Sequence, residues 1–397
     1  MRIECTLLHV RLPSSLSWVI AATLLGCSSA PNLNDNDGGP GSDSSTGADG
    51  MTNDQTSPPV DGSFDGPVPP PATSGITITV EPDGSGDAAA VLSAIEGAQT
   101  AVHVEMYLLT NSKYIDALIA LSKAGKDVKV LLNQTFPTGT SASDTNAATY
   151  TQLQGGGVNV KWAPTNTGFD SYTHEKAVII DPAGGSDSQV WVMTMNLDTD
   201  APKYNREFLA DDVNAPDIAE AEAIFEADYA DTAITPSGNL VVAPSPQNNA
   251  VATLVALINS ATTSINMESE ELDDSGYNTE ELVFNALVAK AKAGIKVQVV
   301  LEDSTDTSQS SAVTSLVAAG AHVVGYACSA SLDIHAKALV VDDARAYVGS
   351  ENFSGGSLGY NRELGVTFTQ ASEVTKVNST IVTDFAGGTT YSATCAE

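Results

Sequence analysis

The chain has 397 residues, 42% of them hydrophobic, enough to bury the cores of two ordinary domains. Its 49 acidic against 17 basic residues leave a formal charge of −32. Such a balance repels polyphosphate at long range and lacks the basic stripe that nucleic-acid binding needs, which disfavours a generic DNA or RNA binder, although acidity also serves plain solubility.

The N-terminus reads as an export signal. Arg2 and Arg11 precede or border an apolar run from Leu16 through Leu25, and Leu24-Leu25-Gly26-Cys27 has the form of a bacterial lipobox. Residues 1–26 are therefore expected to be a signal peptide and Cys27 a lipidated cysteine; an ordinary signal peptide with a cysteine nearby is the alternative. The run is too short for a good membrane span. Cys5 leaves with the leader, so the mature chain keeps Cys328 and Cys395, either joined in one disulfide or as two free buried thiols. Residues 27–75 are mostly Gly, Ser, Asp, Asn, Thr and Pro, which cannot bury enough surface to offset ordering. They are expected to form a disordered tether, holding the folded part roughly 35–40 Å from its anchor.

Two stretches of strand-like and helix-like segments follow, at 76–236 and 237–397. In the first, 76–80, 102–109, 128–132, 158–163, 176–181 and 190–195 read as strands, with an amphipathic helix over Ile115 to Ala124. The second repeats the order at 240–243, 264–271, 297–302, 322–327, 337–342 and 346–349. Gly125 and Gly294 each end a helix before a strand, as left-handed C-caps do. Short turn-rich connections, 182–188 and 343–345, predict antiparallel pairing of the last two strands of each set. The expected fold class is α/β: two similar halves related by a pseudo-dyad, each a mixed β-sheet flanked by helices.

One short pattern occurs in both halves. His174, Lys176 and Asp181 recur as His335, Lys337 and Asp342; Asn196 recurs as Asn352; and Asn205-Arg206-Glu207 recurs as Asn361-Arg362-Glu363. A repeat that keeps ionisable residues on a diverged background points to one site assembled from two half-sites. Two histidines supply a nucleophile and a general acid, two lysines supply fixed positive charge, and two asparagines supply amide donors, a set suited to a phosphoryl group without need of a divalent metal or other cofactor. A glutamate beside each imidazole would orient it, and Glu207 and Glu363 are the candidates. His103 and His322 have no repeated partner and read as structural. Arg206 and Arg362 read as structural ion pairs, and the acidic run from Glu268 to Asp274 as a solvated rim without EF-hand spacing.

These residues resemble the phospholipase D superfamily, whose signature is His-x-Lys-x4-Asp followed by Gly-Ser-x-Asn. The second copy matches in full, through Gly349-Ser350-Glu351-Asn352; in the first, Met193-Thr194-Met195-Asn196 keeps a hydroxyl on Thr194 and the asparagine. The resemblance spans about Ile76 to the C-terminus. It implies a metal-independent phosphodiesterase acting through a covalent phosphohistidine, with His174 as nucleophile and His335 as general acid/base. Lys176, Lys337, Asn196 and Asn352 would hold the phosphate, while Asp181 and Asp342, with Thr194 and Ser350, would support the local fold.

Export, lipid anchoring and acidity favour a glycerophospholipid as substrate, hydrolysed to phosphatidic acid and a free headgroup. The same intermediate serves transphosphatidylation or cardiolipin synthesis, and a nuclease of the family is the other enzymatic alternative; a phosphate-binding surface lipoprotein is the non-enzymatic one. The expected setting is an exported bacterial lipoprotein, periplasmic or outer-membrane or cell-surface anchored, touching the membrane through its lipid. Because a duplicated chain supplies what a symmetric dimer would, a monomer is expected.

Overall fold

Strands that are apolar at every position must be covered on both faces, and each half contains them. In Lys176–Ile180, Ala177 and Ile179 face one way and Val178 and Ile180 the other, all at most 2% exposed. Lys337–Val341 repeats this, with Ala338 and Val340 on one face and Leu339 and Val341 on the other. The fold therefore needs cover on both sides of two sheets.

The computed structural model describes residues 70–137, 140–164, 172–236, 238–245, 247–274, 281–304, 306–327 and 330–393. The expected signal peptide, Cys27, Cys328 and Cys395 lie outside the described residues, as does most of the expected tether. The described residues fall within one compact unit, Asp61–Glu397, and no helix among them is long and apolar enough to cross a membrane.

The first sheet contains β1 (Ile76–Glu81), β2 (Ala101–Met106), β3 (Asp127–Leu132), β4 (Asn159–Trp162), β5 (Lys176–Ile180), β6 (Gln189–Met193) and β7 (Asn205–Asp212), in the order β1-β7-β6-β5-β2-β3-β4. The second contains β8 (Leu240–Ala243), β9 (Ser264–Ser269), β10 (Lys296–Glu302), β11 (His322–Tyr326), β13 (Lys337–Val341), β14 (Arg345–Gly349), β15 (Glu363–Phe368) and β16 (Thr389–Thr390), in the order β8-β15-β14-β13-β9-β10-β11-β16. The two orders superpose strand for strand up to the extra edge strand. Within each, three neighbouring strands run parallel and the motif strands pair antiparallel, β5 with β6 and β13 with β14. The short β12 (Asp333–Ile334) leaves its own half and pairs in parallel with β7 of the other.

Helices α1 (Ala89–Gly97), α2 (Ser112–Lys123) and α3 (Ala147–Gly155) cover the outer face of the first sheet, and α6 (Ala250–Asn259), α7 (Glu281–Lys292) and α8 (Thr307–Ala319) that of the second. The inner faces share one core, to which α5 (Ala215–Tyr229) and α10 (Ala371–Gly387) contribute Ile218, Phe225, Val374 and Ile381. Short helices α4 (Ala201–Tyr204) and α9 (Gly355–Tyr360) precede the two Asn-Arg-Glu segments. Asn111 caps α2 by accepting from the Lys113 N–H. Gly125 and Gly294 both have φ of 83°, the left-handed conformation expected where those helices end.

Several details differ from the sequence reading. The strands expected over 102–109 and 264–271 stop at Met106 and Ser269, because Tyr107 and Glu270 turn off the sheet toward the cleft. β7 and β15 were not expected as strands, since their charged first residues mask apolar stretches that are buried. The acidic run is not a solvated rim: Glu268 is completely buried, as alternation along β9 aims it into the shared core. The expected tether also ends early, because Ala72 exchanges backbone hydrogen bonds with Thr367 and Thr369 and is buried.

Two arginines bind the halves together. Arg206 donates twice to Asp384 on α10, through Nε at 2.6 Å and Nη2 at 3.2 Å, and Arg362 reaches Asp228 on α5 at 2.8 and 3.0 Å. Each therefore crosses to the last helix of the opposite half in a bidentate geometry. Around Arg362 lie Glu105 and Glu175, both buried; burial first and then the Asp228 charge push the Glu105 carboxyl up to about 8. Removing one partner of such a pair strands the other in the interior. Arg362→Ala is expected to lower unfolding stability by about 3–5 kcal/mol, measured by urea denaturation, whereas a change below about 1 kcal/mol would show a surface-like pair.

Candidate active site

Each half-site forms where a central strand begins. β5 opens on Lys176 and β13 on Lys337, with His174 and His335 two residues before them, so histidine and lysine project to one side of extended backbone. Each lysine turns back to donate from Nζ to the carbonyl of its own histidine, at 2.8 Å from Lys176 and 2.7 Å from Lys337.

The approach to each histidine lies along the other half. The His174 N–H donates to the Arg362 carbonyl at 2.8 Å, and Thr173 bridges Arg362; the pairing of Asp333–Ile334 with Asn205–Arg206 is its counterpart. This places each glutamate beside the histidine of the opposite half. His174 Nδ1 lies 3.0 Å from both carboxylate oxygens of Glu363, and His335 Nδ1 lies 2.8 Å from Glu207 Oε1. With Nδ1 beside a carboxylate in each ring, Nε2 is the nitrogen left for chemistry, and that of His335 lies 3.5 Å from Glu270 Oε2.

The glutamates are themselves held, and both are completely buried. Thr194 donates its hydroxyl proton to Glu207, and Ser357 Oγ donates to Glu363 at 2.5 Å. Thr194 Oγ1 also accepts the Phe208 N–H at 2.9 Å, as Ser350 Oγ accepts the Leu364 N–H at 3.0 Å. Threonine in the first half therefore makes the same backbone contact as serine in the second. Asp181 and Asp342 lie apart from the imidazoles. Asp181 accepts the backbone N–H groups of Gln99, Thr100 and Ala101, and Asp342 those of Thr262, Thr263 and Ser264, so each pins the loop leading into the neighbouring strand.

Asn196 and Asn352 are nearly buried, 8% and 6% exposed, each with an amide oxygen lacking a hydrogen-bond partner. Burial pushes the His174 imidazole below its ordinary value, with Lys176 and Lys337 adding to the effect and Glu363 opposing it. A neutral imidazole with its Nδ1 proton on Glu363 presents a lone pair at Nε2. Burial, and then the charge of Lys337, lower the Lys176 ammonium to about 7. Two cations so close repel until an anion joins them.

Sequence reasoning missed two neighbours of this cleft. The Tyr107 ring stands edge-on to His174 at 4.7 Å, and Lys176 Nζ lies 5.2 Å from its centroid. Glu270 Oε2 lies 2.5 Å from Lys337 Nζ, 3.4 Å from Asn352 Nδ2 and 3.5 Å from His335 Nε2. Their corresponding places in the repeat were a usable signal, but both were absorbed into strands. His103 sits outside the cleft, buried against Phe225 with Nδ1 on Glu222. Its cluster with Glu222 and Glu226, and the cluster Glu105, Glu175 and Asp228, are groups of metal-ligand type among the described residues, and neither contains a motif histidine.

A family model described as "Cardiolipin synthase, PLD-like domain" matches residues 91–229 and 254–385, one match in each half. Among solved structures, a phosphatidylserine synthase from Haemophilus influenzae is similar with a TM-score of 0.59 and 11% identity over 80% of this chain and 88% of that one. A polyphosphate kinase from Porphyromonas gingivalis gives 0.58 and 14% over 78% of this chain, which spans only 47% of the kinase. Nuc, a phospholipase D family member from Salmonella typhimurium, aligns over 38% of this chain and 97% of its own at 22% identity, with a TM-score of 0.34. No curated protein matches the chain in sequence.

The lowered Lys176 value has a measurable consequence. An anion that restores the Lys176 charge must bring a proton with it above pH 7, so sulfate affinity is expected to fall about tenfold per pH unit above that point. Calorimetric titration at pH 6 to 9 checks this; Lys176→Met should bind weakly with a flatter pH dependence, and an unchanged slope would remove Lys176 from the anion site.

Proposed function

Since the chain belongs to the phospholipase D superfamily, we propose that it is a phosphodiesterase that hydrolyses a glycerophospholipid to phosphatidic acid and a free headgroup alcohol through a phosphohistidine. The reciprocal contacts His174–Glu363 and His335–Glu207 carry this reading, because they join the two imidazoles across the halves, each with its own lysine bonded to its backbone carbonyl. In the first step His174 Nε2 attacks phosphorus, the bond to the headgroup oxygen breaks, and His335 gives that oxygen its proton. The phosphatidyl group then rests on His174. In the second step His335 takes a proton from water, the water oxygen attacks phosphorus, and the N–P bond breaks. Lys176, Lys337, Asn196 and Asn352 neutralise and hold the non-bridging oxygens in both steps.

The role assignment rests on the two environments. The His174 imidazole is held below its ordinary value by burial, which suits a nucleophile. His335 Nε2 lies 3.5 Å from Glu270 Oε2, and His335 is assigned the acid. Transfer of the phosphatidyl group to an alcohol in place of water requires no other residue, and the acceptor that enters decides between the two outcomes. The charge of −32 weighs against a nucleic-acid backbone as substrate. Export and lipidation at Cys27 would hold the enzyme at the surface where phospholipid is found.

Purified protein incubated with phosphatidylethanolamine, phosphatidylcholine and single-stranded DNA is expected to cleave lipid and spare DNA, with activity retained in EDTA. Loss in EDTA would remove the metal-independent mechanism, and cleavage of DNA alone would make the protein a nuclease. His174→Asn should lower kcat by about 10⁴-fold or more. Label from phosphorus-labelled substrate should be trapped on His174, and label on His335 would reverse the two roles.

A further inference from the structure

The two half-sites differ in charge at the residue that leaves the strand beside each motif strand. The Tyr107 N–H donates to the Glu175 carbonyl at 3.1 Å and the Glu270 N–H to the Ala336 carbonyl at 2.9 Å, each just before the motif lysine of its own half. Tyr107 and Glu270 are therefore equivalent residues of the repeat, and both side chains face the cleft. The first half covers its histidine and lysine with an aromatic ring. The second half places a carboxylate oxygen among Lys337, Asn352 and His335, the three groups it offers to phosphate.

Lys337 is completely buried and the Glu270 side chain is 28% exposed, so this ion pair lies in the cleft wall and not on the open surface. Burial works against the Glu270 charge, but Lys337 and then His335 outweigh it and hold the carboxyl well below the usual carboxylate range. Glu270 is thus an internal anion at the second phosphate position. A phosphodiester that takes Lys337 leaves this carboxylate without its cation and beside a second negative charge. A headgroup that brings its own cation removes that penalty: phosphate joins Lys337, the cation joins Glu270, and one ion pair becomes two. The place fits the chemistry, since His335 protonates the leaving oxygen and Glu270 lies against His335 Nε2. The Tyr107 ring lines the same cleft, edge-on to His174 and with its centroid 5.2 Å from Lys176 Nζ.

Resting on the phosphodiesterase reading above, we propose that Glu270 is the specificity-determining residue of the site, holding the leaving-group side closed to headgroups that carry no cation and exchanging Lys337 for the ammonium of one that does. An amino-alcohol ester, with its ammonium two carbons from the leaving oxygen, is the substrate class this exchange admits. A glycerol or nucleotide leaving group supplies no cation and is opposed.

The test compares wild type with Glu270→Gln on phosphatidylethanolamine and phosphatidylglycerol in the same detergent micelles, and on soluble bis(4-nitrophenyl) phosphate. Wild type is expected to favour phosphatidylethanolamine at least tenfold in kcat/KM. The variant should reduce that ratio at least tenfold, largely by gaining on phosphatidylglycerol. A ratio unchanged within twofold, with activity present, overturns the role of Glu270 and leaves the phosphodiesterase reading standing. Wild type inactive on all three substrates overturns that reading, and this inference with it. Competition on wild type needs no variant: phosphoethanolamine should inhibit at least tenfold more tightly than glycerol phosphate, and equal inhibition overturns the exchange.

Discussion

The structure depends on an exchange between repeats, in which the glutamate that orients each imidazole comes from the other half. His174 is served by Glu363 and His335 by Glu207, and neither half holds a finished site. The exchange is imposed by backbone pairing, because the segment before each histidine lies along the opposite Asn-Arg-Glu segment. Within three residues that segment does two jobs. Its arginine docks on the last helix of the other half and its glutamate fixes the other half's histidine, so assembly of the core and assembly of the site are one event.

That coupling explains why so much charge is tolerated inside. Arg362 with Asp228 is a buried pair and Arg206 with Asp384 a partly buried one, both of good geometry, and the surrounding carboxyls are held up by burial, which reduces the charge the interior must carry. In the cleft the two lysines lie close enough for Lys337 to help depress Lys176, among the carboxylates Glu207, Glu363 and Glu270. Only the second half adds Glu270 to its lysine, so the two half-sites are similar in backbone and unequal in electrostatics.

The α/β class, the mixed sheets and the motif strands were legible because they are written in local patterns: alternating segments, short connections at 182–188 and 343–345, and a repeated set of ionisable residues. The pairing of each glutamate with the opposite histidine was not, since nothing local distinguishes Glu207 beside His174 from Glu207 beside His335. Glu270 was hidden because the strand reading ran two residues too far and an acidic run looks solvated. Glu268 was misread for the same reason, as only the sheet's position decides which side of β9 meets the core. Ala72 looked like tether by composition, and its backbone pairing to β15 depends on a strand 295 positions away that carries no local signal of its partner.

Nitrogen-15 NMR of the two imidazoles, in Glu363→Gln and Glu207→Gln, addresses the exchange between halves directly. The account predicts that Glu363→Gln shifts the Nδ1 signal of His174 and leaves that of His335 in place, and that Glu207→Gln does the reverse. If each substitution instead perturbed the histidine of its own half, each half would be a self-contained site and the account would be wrong.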